Sequence, residues 1–187
     1  MDSADDPREA LIDKHRKGLV QVYTGNGKGK TTAAFGQALR AVGQGYRVCI
    51  IQFMKGRKYG EFLAAEQHIP NLAVHLTGLD SFVMREHPAP LDIELARQGL
   101  DLARRAVLSG DYDMVILDEI NVAADFGLVP LDELLDLIRS RPARIDLVLT
   151  GRYAPPEIIA AADTVSDIRE VRHHYQAGIK ERAGIEF

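Results

Sequence analysis

The sequence contains no tryptophan and a single cysteine, Cys49. One cysteine excludes an intrachain disulfide, and because Cys49 lies in the apolar run VCII, we predict a buried side chain rather than a nucleophile. No run of about 18 apolar residues is present, and the N-terminus lacks the charged-then-apolar pattern of a signal peptide. These absences predict a cytoplasmic protein without a membrane partner.

The chain also has no excess of basic residues. Its 23 lysines and arginines face 27 acidic residues, which gives a net charge of −4 at pH 7, whereas a nucleic-acid-binding surface is normally basic. We therefore expect no nucleic-acid partner. A length of 187 residues, with 46% hydrophobic and 27% charged residues, suits one domain with a substantial core.

What the sequence does contain is a glycine-rich turn between a strand pattern and a helix pattern. The stretch 20–34 reads VQVYTGNGKGKTTAA, and Lys30 and Thr31 open the part with helical spacing. This order is typical of a P-loop, in which glycines let backbone N–H groups form a concave anion site at a helix N-terminus. We predict that Lys30 contacts phosphate and that the Thr31 hydroxyl binds magnesium.

The turn departs from the usual P-loop spacing, G-x-x-x-x-G-K-[ST]. Thr24 stands where that pattern has a glycine, and glycine instead occupies positions 25, 27 and 29. A solvated loop rich in glycine and lysine is the alternative, but the order of strand, loop, helix and Lys-Thr favours a triphosphate site. These residues leave open which bond of the nucleotide is broken.

Apolar segments with strand and helix patterns alternate along the rest of the chain. We predict strands at 47–53, 72–76, 113–118, 145–150 and 164–168, and helices after the P-loop and at 61–67, 92–109, 130–140 and 156–162. This alternation predicts an α/β fold of the P-loop NTPase type, with a mostly parallel sheet and helices on both faces. Ligands bind at the carboxyl ends of the strands in such sheets.

The predicted domain covers residues 18–187, and the polar segment 1–17 is expected to be a tail or a short helix. Lys14, Arg16 and Lys17 lie just before the first strand, where a positive charge could reach a bound triphosphate. A solvated basic linker is the alternative. A second feature, the long connection 77–90, is of a length that often serves as a lid or binding loop.

Two carboxylates, Asp118 and Glu119, follow the strand at 113–118. A strand-end acid is what a P-loop protein needs to hold magnesium opposite Thr31, although aspartate also caps helices. Glu119 could polarise water in an ATPase, or bind ribose hydroxyls or the metal shell in a transferase. Arg152 follows the strand at 145–150 and is placed to reach phosphate, with a surface arginine as the alternative.

His173 and His174 are adjacent, and no other metal-binding side chain stands at a suitable spacing. We expect the side chains of neighbouring residues to point in different directions, so that the two histidines would not share a metal ion. They are predicted to be structural or surface residues.

The motifs YTGNGKGKTTAAFGQALRAVGQG, QFMKG, VILDEIN, LTGR and YQAGIKERAGIEF together resemble the P-loop ATP:corrinoid adenosyltransferases. The resemblance covers about Gly18 to Phe187, and the loop GNGKGKTT, with its missing glycine, is the most specific part. It implies transfer of the 5′-deoxyadenosyl group of ATP to Co(I) of a corrinoid (cobalamin, cobinamide or a precursor), with release of triphosphate. It further implies magnesium, a flavoprotein reductant, and a homodimer in which an N-terminal segment covers the partner's site.

Position by position, the resemblance implies Lys30, Thr31 and Glu119 as catalytic residues, and magnesium ligands among Thr31, Asp118 and Glu119. The loop after Gly78 would close the lower face of the corrinoid, where some relatives place tryptophan. This chain has none, so Phe82 is the candidate for an apolar wall, and packing on the sheet is the alternative. The residues implied to bind nucleotide or corrinoid are Gly25, Asn26, Gly27, Lys28, Gly29, Lys30, Thr31, Thr32, Phe82 and Arg152.

Two other functions stay open on the residues alone. A P-loop ATPase or kinase would cleave the terminal phosphate, with Glu119 positioning water. A non-catalytic regulator that binds ATP or a corrinoid would suit the absence of an aromatic wall.

Overall fold

Six parallel strands form one sheet in the computed structural model of the protein, which describes residues 16–186. The strand order is β3-β2-β4-β5-β1-β6, so the chain passes from β1 over two strand positions to β2. That crossover opens a crevice at the carboxyl end of β1. The strands are β1 (Val20–Thr24), β2 (Val48–Phe53), β3 (Leu72–Thr77), β4 (Met114–Asp118), β5 (Asp146–Thr150) and β6 (Thr164–Asp167).

Six α-helices connect or follow these strands, and a short 3-10 turn lies at His174–Ala177. The predicted α/β fold of the P-loop NTPase type is confirmed, with each predicted strand and helix present and its ends shifted by at most two residues. Helix α4 and the 3-10 turn were not predicted. The helices are α1 (Lys30–Gly43), α2 (Gly60–His68), α3 (Pro90–Leu108), α4 (Ile120–Asp125), α5 (Leu131–Ser140) and α6 (Pro156–Ala161).

Alternating side chains of the buried strands divide the core into two layers. On β2, Val48 and Ile50 pack with the alanines of α1 and α2, whereas Cys49, Ile51 and Phe53 join a larger cluster with α3, α4, α5 and α6. Helices therefore cover both faces, as predicted. Cys49 is buried, and burial raises the pKa of its thiol to about 12.

The segment before β1 is fastened to the amino ends of the strands. The Arg16 guanidinium pairs with Asp146, donates to the Asp113 carbonyl at 2.8 Å, and lies 4.2 Å above the Tyr46 ring. The prediction that Arg16 reaches a bound triphosphate is wrong, because the P-loop follows the opposite, carboxyl end of β1. The alternative of a solvated linker also fails for Arg16, whose side chain is only 13% exposed.

Most of the predicted tail 1–17, including Lys14, lies outside the described residues, so its separation from a domain at 18–187 stays a prediction. Between residues 16 and 186, no helix is both long enough and apolar enough to cross a membrane.

Candidate nucleotide-binding site

The glycine turn joins the carboxyl end of β1 to the first residue of α1. Gly25 and Gly29 have φ angles of 97° and 123°, in the region that favours glycine. Gly27 is constrained by a neighbour instead: its N–H donates to the Ile168 carbonyl at 2.7 Å, and a Cβ there would lie 2.7 Å from backbone atoms of Ile168 and Arg169. The alternating glycines thus serve two needs, the turn itself and a close backbone contact.

Lys30 begins α1 and folds back over the turn. Its Nζ donates to the carbonyls of Gly25 and Gly27, each at 2.7 Å, and the residue is 6% exposed. Burial lowers the pKa of Lys30, against the opposing effect of the nearby Glu119 carboxylate. The ammonium is therefore held inside the loop that the sequence predicted to bind phosphate.

Asp118 lies at the end of β4 and is the centre of a buried hydrogen-bond network. Its Oδ1 accepts from the hydroxyls of Thr31 (3.0 Å) and Thr150 (2.6 Å). Its Oδ2 accepts from Gln52 Nε2 (3.0 Å) and Lys55 Nζ (2.8 Å). Burial alone would raise the pKa of Asp118, but the Lys55 charge and these hydrogen bonds outweigh it and lower the pKa, so the group is a carboxylate at neutral pH.

Glu119 follows in a left-handed conformation, with φ of 61°, which is uncommon for a residue other than glycine. Its carboxylate lines a cavity shared with Lys30, Lys55 and Arg152. Burial and the charge of Asp118 raise the pKa of Glu119, despite the opposing effect of these three cations. Strained backbone that directs a carboxylate into a cavity is typical of a functional site.

This cavity, of about 850 Å³, lies at the carboxyl edge of the sheet over the P-loop. It brings together most of the predicted site residues, from the P-loop, the end of β4 and the end of β5. Side chains of both charges line it, as a site for a metal–triphosphate complex requires. The predicted residues in its lining are Gly27, Lys28, Gly29, Lys30, Thr31, Thr32, Glu119 and Arg152.

Four predicted residues lie outside the lining. The Gly25 carbonyl instead holds Lys30, and Asn26 is exposed on the turn. Asp118 lies one layer beneath the cavity, fully buried. Phe82 is fully exposed, so the alternative that it packs on the sheet is wrong; its neighbour Val83 packs on the core instead.

Lys55 is a residue of this site that the sequence did not identify. It follows β2, which lies beside β4, so its ammonium reaches both Asp118 and the cavity. The QFMKG motif contributed to the family resemblance but gave Lys55 no role. The order of the strands, which a single sequence does not show, is what places Lys55 next to Asp118.

The C-terminal segment also returns to the P-loop, which the sequence did not reveal. Lys28 Nζ donates to the Ile185 carbonyl at 3.0 Å and lies 4.0 Å from the Glu186 carboxylate. Five residues of this segment line the cavity: His173, Glu181, Gly184, Ile185 and Glu186.

The rings of His173 and His174 stack, with centroids 4.5 Å apart and planes at 28°. The prediction that they point in different directions is therefore wrong. His174 Nε2 lies 3.8 Å from the Glu186 carboxylate, whereas His173 lines the cavity. Throughout residues 16–186, no group of three or more histidine, cysteine, aspartate or glutamate side chains is arranged to hold a metal ion.

A helix-capping glycine loop at the end of β1, with an acid at the end of β4 bonded to its threonine, places the molecule among the P-loop NTPase-like proteins. Comparison with known proteins narrows that class. A family model described as "ATP:corrinoid adenosyltransferase BtuR/CobO/CobP" matches residues 16–187. The chain belongs to this family.

Curated corrinoid adenosyltransferases are similar in sequence to this protein over nearly the whole chain. The corrinoid adenosyltransferase of Escherichia coli (strain K12) is 38% identical over 172 residues, covering 91% of this chain and 86% of the relative. That of Pseudomonas aeruginosa is 37% identical, covering 96% and 92%. The corrinoid adenosyltransferase CobA of Salmonella typhimurium is 37% identical, covering 97% and 91%.

Proposed function

We propose that this protein transfers the 5′-deoxyadenosyl group of ATP to the Co(I) centre of a corrinoid and releases triphosphate. The observation that carries the proposal is the Lys30 ammonium held within the P-loop of a member of the ATP:corrinoid adenosyltransferase family. In this reaction the P-loop would bind the triphosphate, which is the leaving group, and would not contact the attacking Co(I).

The proposed reaction forms a cobalt–carbon bond and breaks the bond between C5′ and the triphosphate oxygen. Co(I) supplies the electron pair and carries no proton, so the attack requires no general base. The electrons of the broken bond pass to the triphosphate, which gains negative charge. Loop N–H groups and Lys30 would stabilise that charge, with Lys28 and Arg152 as further contacts, by electrostatic preorganisation.

We also propose that Thr31, Glu119 and Asp118 provide the magnesium site. Hydroxyl and carboxylate oxygens suit this hard cation, and two observations support the proposal: the hydrogen bond from Thr31 to Asp118 and the presence of Thr31 and Glu119 in the cavity lining. Because Lys55 already pairs with Asp118, Glu119 would be the direct carboxylate ligand and Asp118 would orient the Thr31 hydroxyl. Magnesium bound there would add positive charge beside the triphosphate.

The remaining proposals rest on family membership. The protein would act in the cytoplasm as a homodimer, with an N-terminal segment of one subunit covering the site of the other. A flavoprotein would reduce the cobalt, and Phe82 would contribute to the wall against the lower corrinoid face. Residues 18–187 would form the single catalytic domain.

The test is an anaerobic incubation of the protein with ATP, magnesium and chemically reduced cobalamin. We expect stoichiometric triphosphate and a light-sensitive cobalt–carbon product, measured by anion-exchange chromatography and by the change in absorbance on illumination. ADP and phosphate would instead indicate an ATPase or kinase. Tight binding without turnover would indicate a regulator, and either of these results would overturn the proposal.

A further inference from the structure

The connection between β3 and α3, residues 78–89, is here called the 78–89 loop. It begins in close backbone contact with the segment after β2: a Cβ on Gly78 would lie 2.4 Å from the Lys55 nitrogen and 2.6 Å from the Met54 carbonyl carbon. A Cβ on Gly56 would likewise lie 2.5 Å from the Leu79 carbonyl carbon. The loop is therefore fixed at its start, next to the cavity-lining Lys55.

The other end of the loop is fixed where α3 begins. The Ala89 N–H donates to Asp92 Oδ2 at 3.1 Å. Between the two ends, Val83 packs against the larger core cluster. Of its neighbours, Phe82 is fully exposed and Met84 is 64% exposed.

Arg85 connects the middle of the 78–89 loop to residues that follow β4 and β5. Its guanidinium donates to Asp125 Oδ1 at 2.8 Å and lies 5.9 Å from the ring centroids of both Phe126 and Tyr153. Asp125 is the last residue of α4 and Phe126 follows it, and the helix begins directly after the cavity residue Glu119. Tyr153 directly follows the cavity residue Arg152, so Arg85 contacts a direct neighbour of the cavity lining.

The two partners of this ion pair differ in burial: the Arg85 side chain is 55% exposed, whereas Asp125 is largely buried. The Asp125 side chain is 20% exposed, and its Oδ2 is buried without a hydrogen-bond partner. Without Arg85 this partly buried carboxylate would lose the cation that compensates its charge. Placement of a guanidinium near two aromatic rings further restricts its position.

We propose that Arg85 is a positioning residue for the acceptor. It holds the 78–89 loop against α4 and Tyr153, and so fixes an apolar platform made of Phe82, which the proposed function already assigns to the wall of the corrinoid site, and Met84 beside it. Exposed large apolar side chains on a loop fixed at both ends have the character of a ligand-contact surface. This inference rests on the proposed function, because it takes the corrinoid as the ligand.

The experiment measures cobalamin binding to the ATP-loaded protein by spectrophotometric titration, and steady-state KM values for cobalamin and ATP. For Arg85→Ala we expect about a 10-fold weaker cobalamin affinity and higher cobalamin KM, with the KM for ATP unchanged, the scale of losing one charge-assisted contact. Hydrogen exchange should accelerate in residues 79–86. Arg85→Lys, which keeps the charge but not the planar fork, should recover part of the loss.

Three further variants separate positioning from general destabilisation. The exchanged pair Arg85→Asp/Asp125→Arg should restore cobalamin affinity relative to Arg85→Asp alone. Arg139→Ala breaks a surface ion pair with Asp136 on α5 and serves as the matched control, with no expected change in affinity or exchange.

The outcomes distinguish this inference from the proposed function. If the wild-type protein catalyses adenosyl transfer but Arg85→Ala binds cobalamin with unchanged affinity, the role of Arg85 is overturned and the proposed function stands. Cobalamin binding that depends on Arg85 but leads to no adenosyl transfer would support the platform and overturn the proposed reaction. Equal losses for ATP and cobalamin would indicate general damage and also overturn the inference.

Discussion

Lys28 and Lys30 stand two residues apart in the same turn, but their surroundings differ. Lys30 is buried and bonded to two loop carbonyls, whereas the Lys28 side chain is 41% exposed and contacts the C-terminal segment. A charge fixed by its surroundings stabilises a developing charge without reorganisation, which a mobile surface charge does not. The two lysines should therefore contribute unequally to catalysis.

Replacing Lys30 with alanine should reduce the rate of adenosyl transfer by at least ~100-fold, the scale of losing a central electrostatic stabiliser. Lys28→Ala should lower the rate by about 10-fold, because an exposed charge is screened by solvent. Single-turnover measurements with prereduced cobalamin would check both values without involving the reductase.

The control for this pair is Arg139→Ala, since Arg139 is an exposed cation on α5 that lies outside the cavity lining. Its rate should equal that of the wild type. An unchanged rate in Lys30→Ala, or equal losses in both loop variants, would contradict the roles assigned to the two lysines.

Two helix glycines show how packing decides the effect of the same substitution. Gly36 lies in α1, and a Cβ there would meet no atom within 4 Å. Gly99 lies in α3, and a Cβ there would lie 2.6 Å from Thr77 Oγ1 and 2.8 Å from Phe53 Cε1. The helix on one side of the sheet has room for a methyl group at its glycine, and the helix on the other side does not.

We expect Gly36→Ala to raise the free energy of unfolding by about 0.5–1 kcal/mol, because alanine has the higher helix propensity. Gly99→Ala should lower the free energy of unfolding by about 1–3 kcal/mol through overpacking against the buried Phe53. Urea unfolding followed by circular dichroism measures both. A rise in the free energy of unfolding in both variants would show that helix propensity, rather than packing, governs these positions, and a fall in both would contradict the room inferred at Gly36.

The regular elements could be predicted because each has a local pattern. The buried strands are short apolar runs, and α3 repeats its apolar residues every three or four positions. Helix α4 has only six residues and begins after the left-handed Glu119, so it shows no such periodicity. The loop 78–89 was recognised by its length, but the direction of each of its side chains depends on contacts that Val83 and Arg85 make with distant residues.

The residues of the site that could be predicted are those that belong to a short sequence motif. Lys30, Thr31 and Glu119 stand at positions that a P-loop and a strand end define. Lys55 and the C-terminal segment reach the cavity through the order of the strands and the path of the chain after β6, which no short pattern encodes.

At the scale of the whole molecule, the two edges of the sheet have different roles. The carboxyl edge holds the cavity, and the amino edge holds the Arg16 cluster with Asp113, Asp146 and Tyr46. This cluster joins the start of the described chain to Asp113, just before β4, and to Asp146, the first residue of β5. Substitutions there should alter stability and leave chemistry unchanged.

Arg16→Ala should lower the free energy of unfolding by about 2 kcal/mol, because the largely buried Asp146 carboxylate loses its cationic partner and the Asp113 carbonyl loses a hydrogen bond. Activity per folded molecule should stay at the wild-type level. Urea denaturation and an activity assay at a temperature well below the transition would check the two parts. A matched Arg139→Ala variant should change the unfolding free energy by less than about 0.5 kcal/mol.

If Arg16→Ala and Arg139→Ala proved equally stable, the amino-edge cluster would have no particular importance for the fold. A slower reaction in folded Arg16→Ala would show that the amino edge of the sheet affects the chemistry at the carboxyl edge, which would contradict the prediction.

The position of β1 within the sheet has a consequence for the order of folding. Its neighbours on the two sides are β5 and β6, and Val20 pairs with Leu147, 127 positions later in the chain. Pairings across such separations are slow to form, because a long loop must close first. We therefore expect the phosphate-binding turn to take its final shape after residues 146–167 have joined the sheet, so that the most recognisable motif of the sequence would be among the last parts of the molecule to become functional.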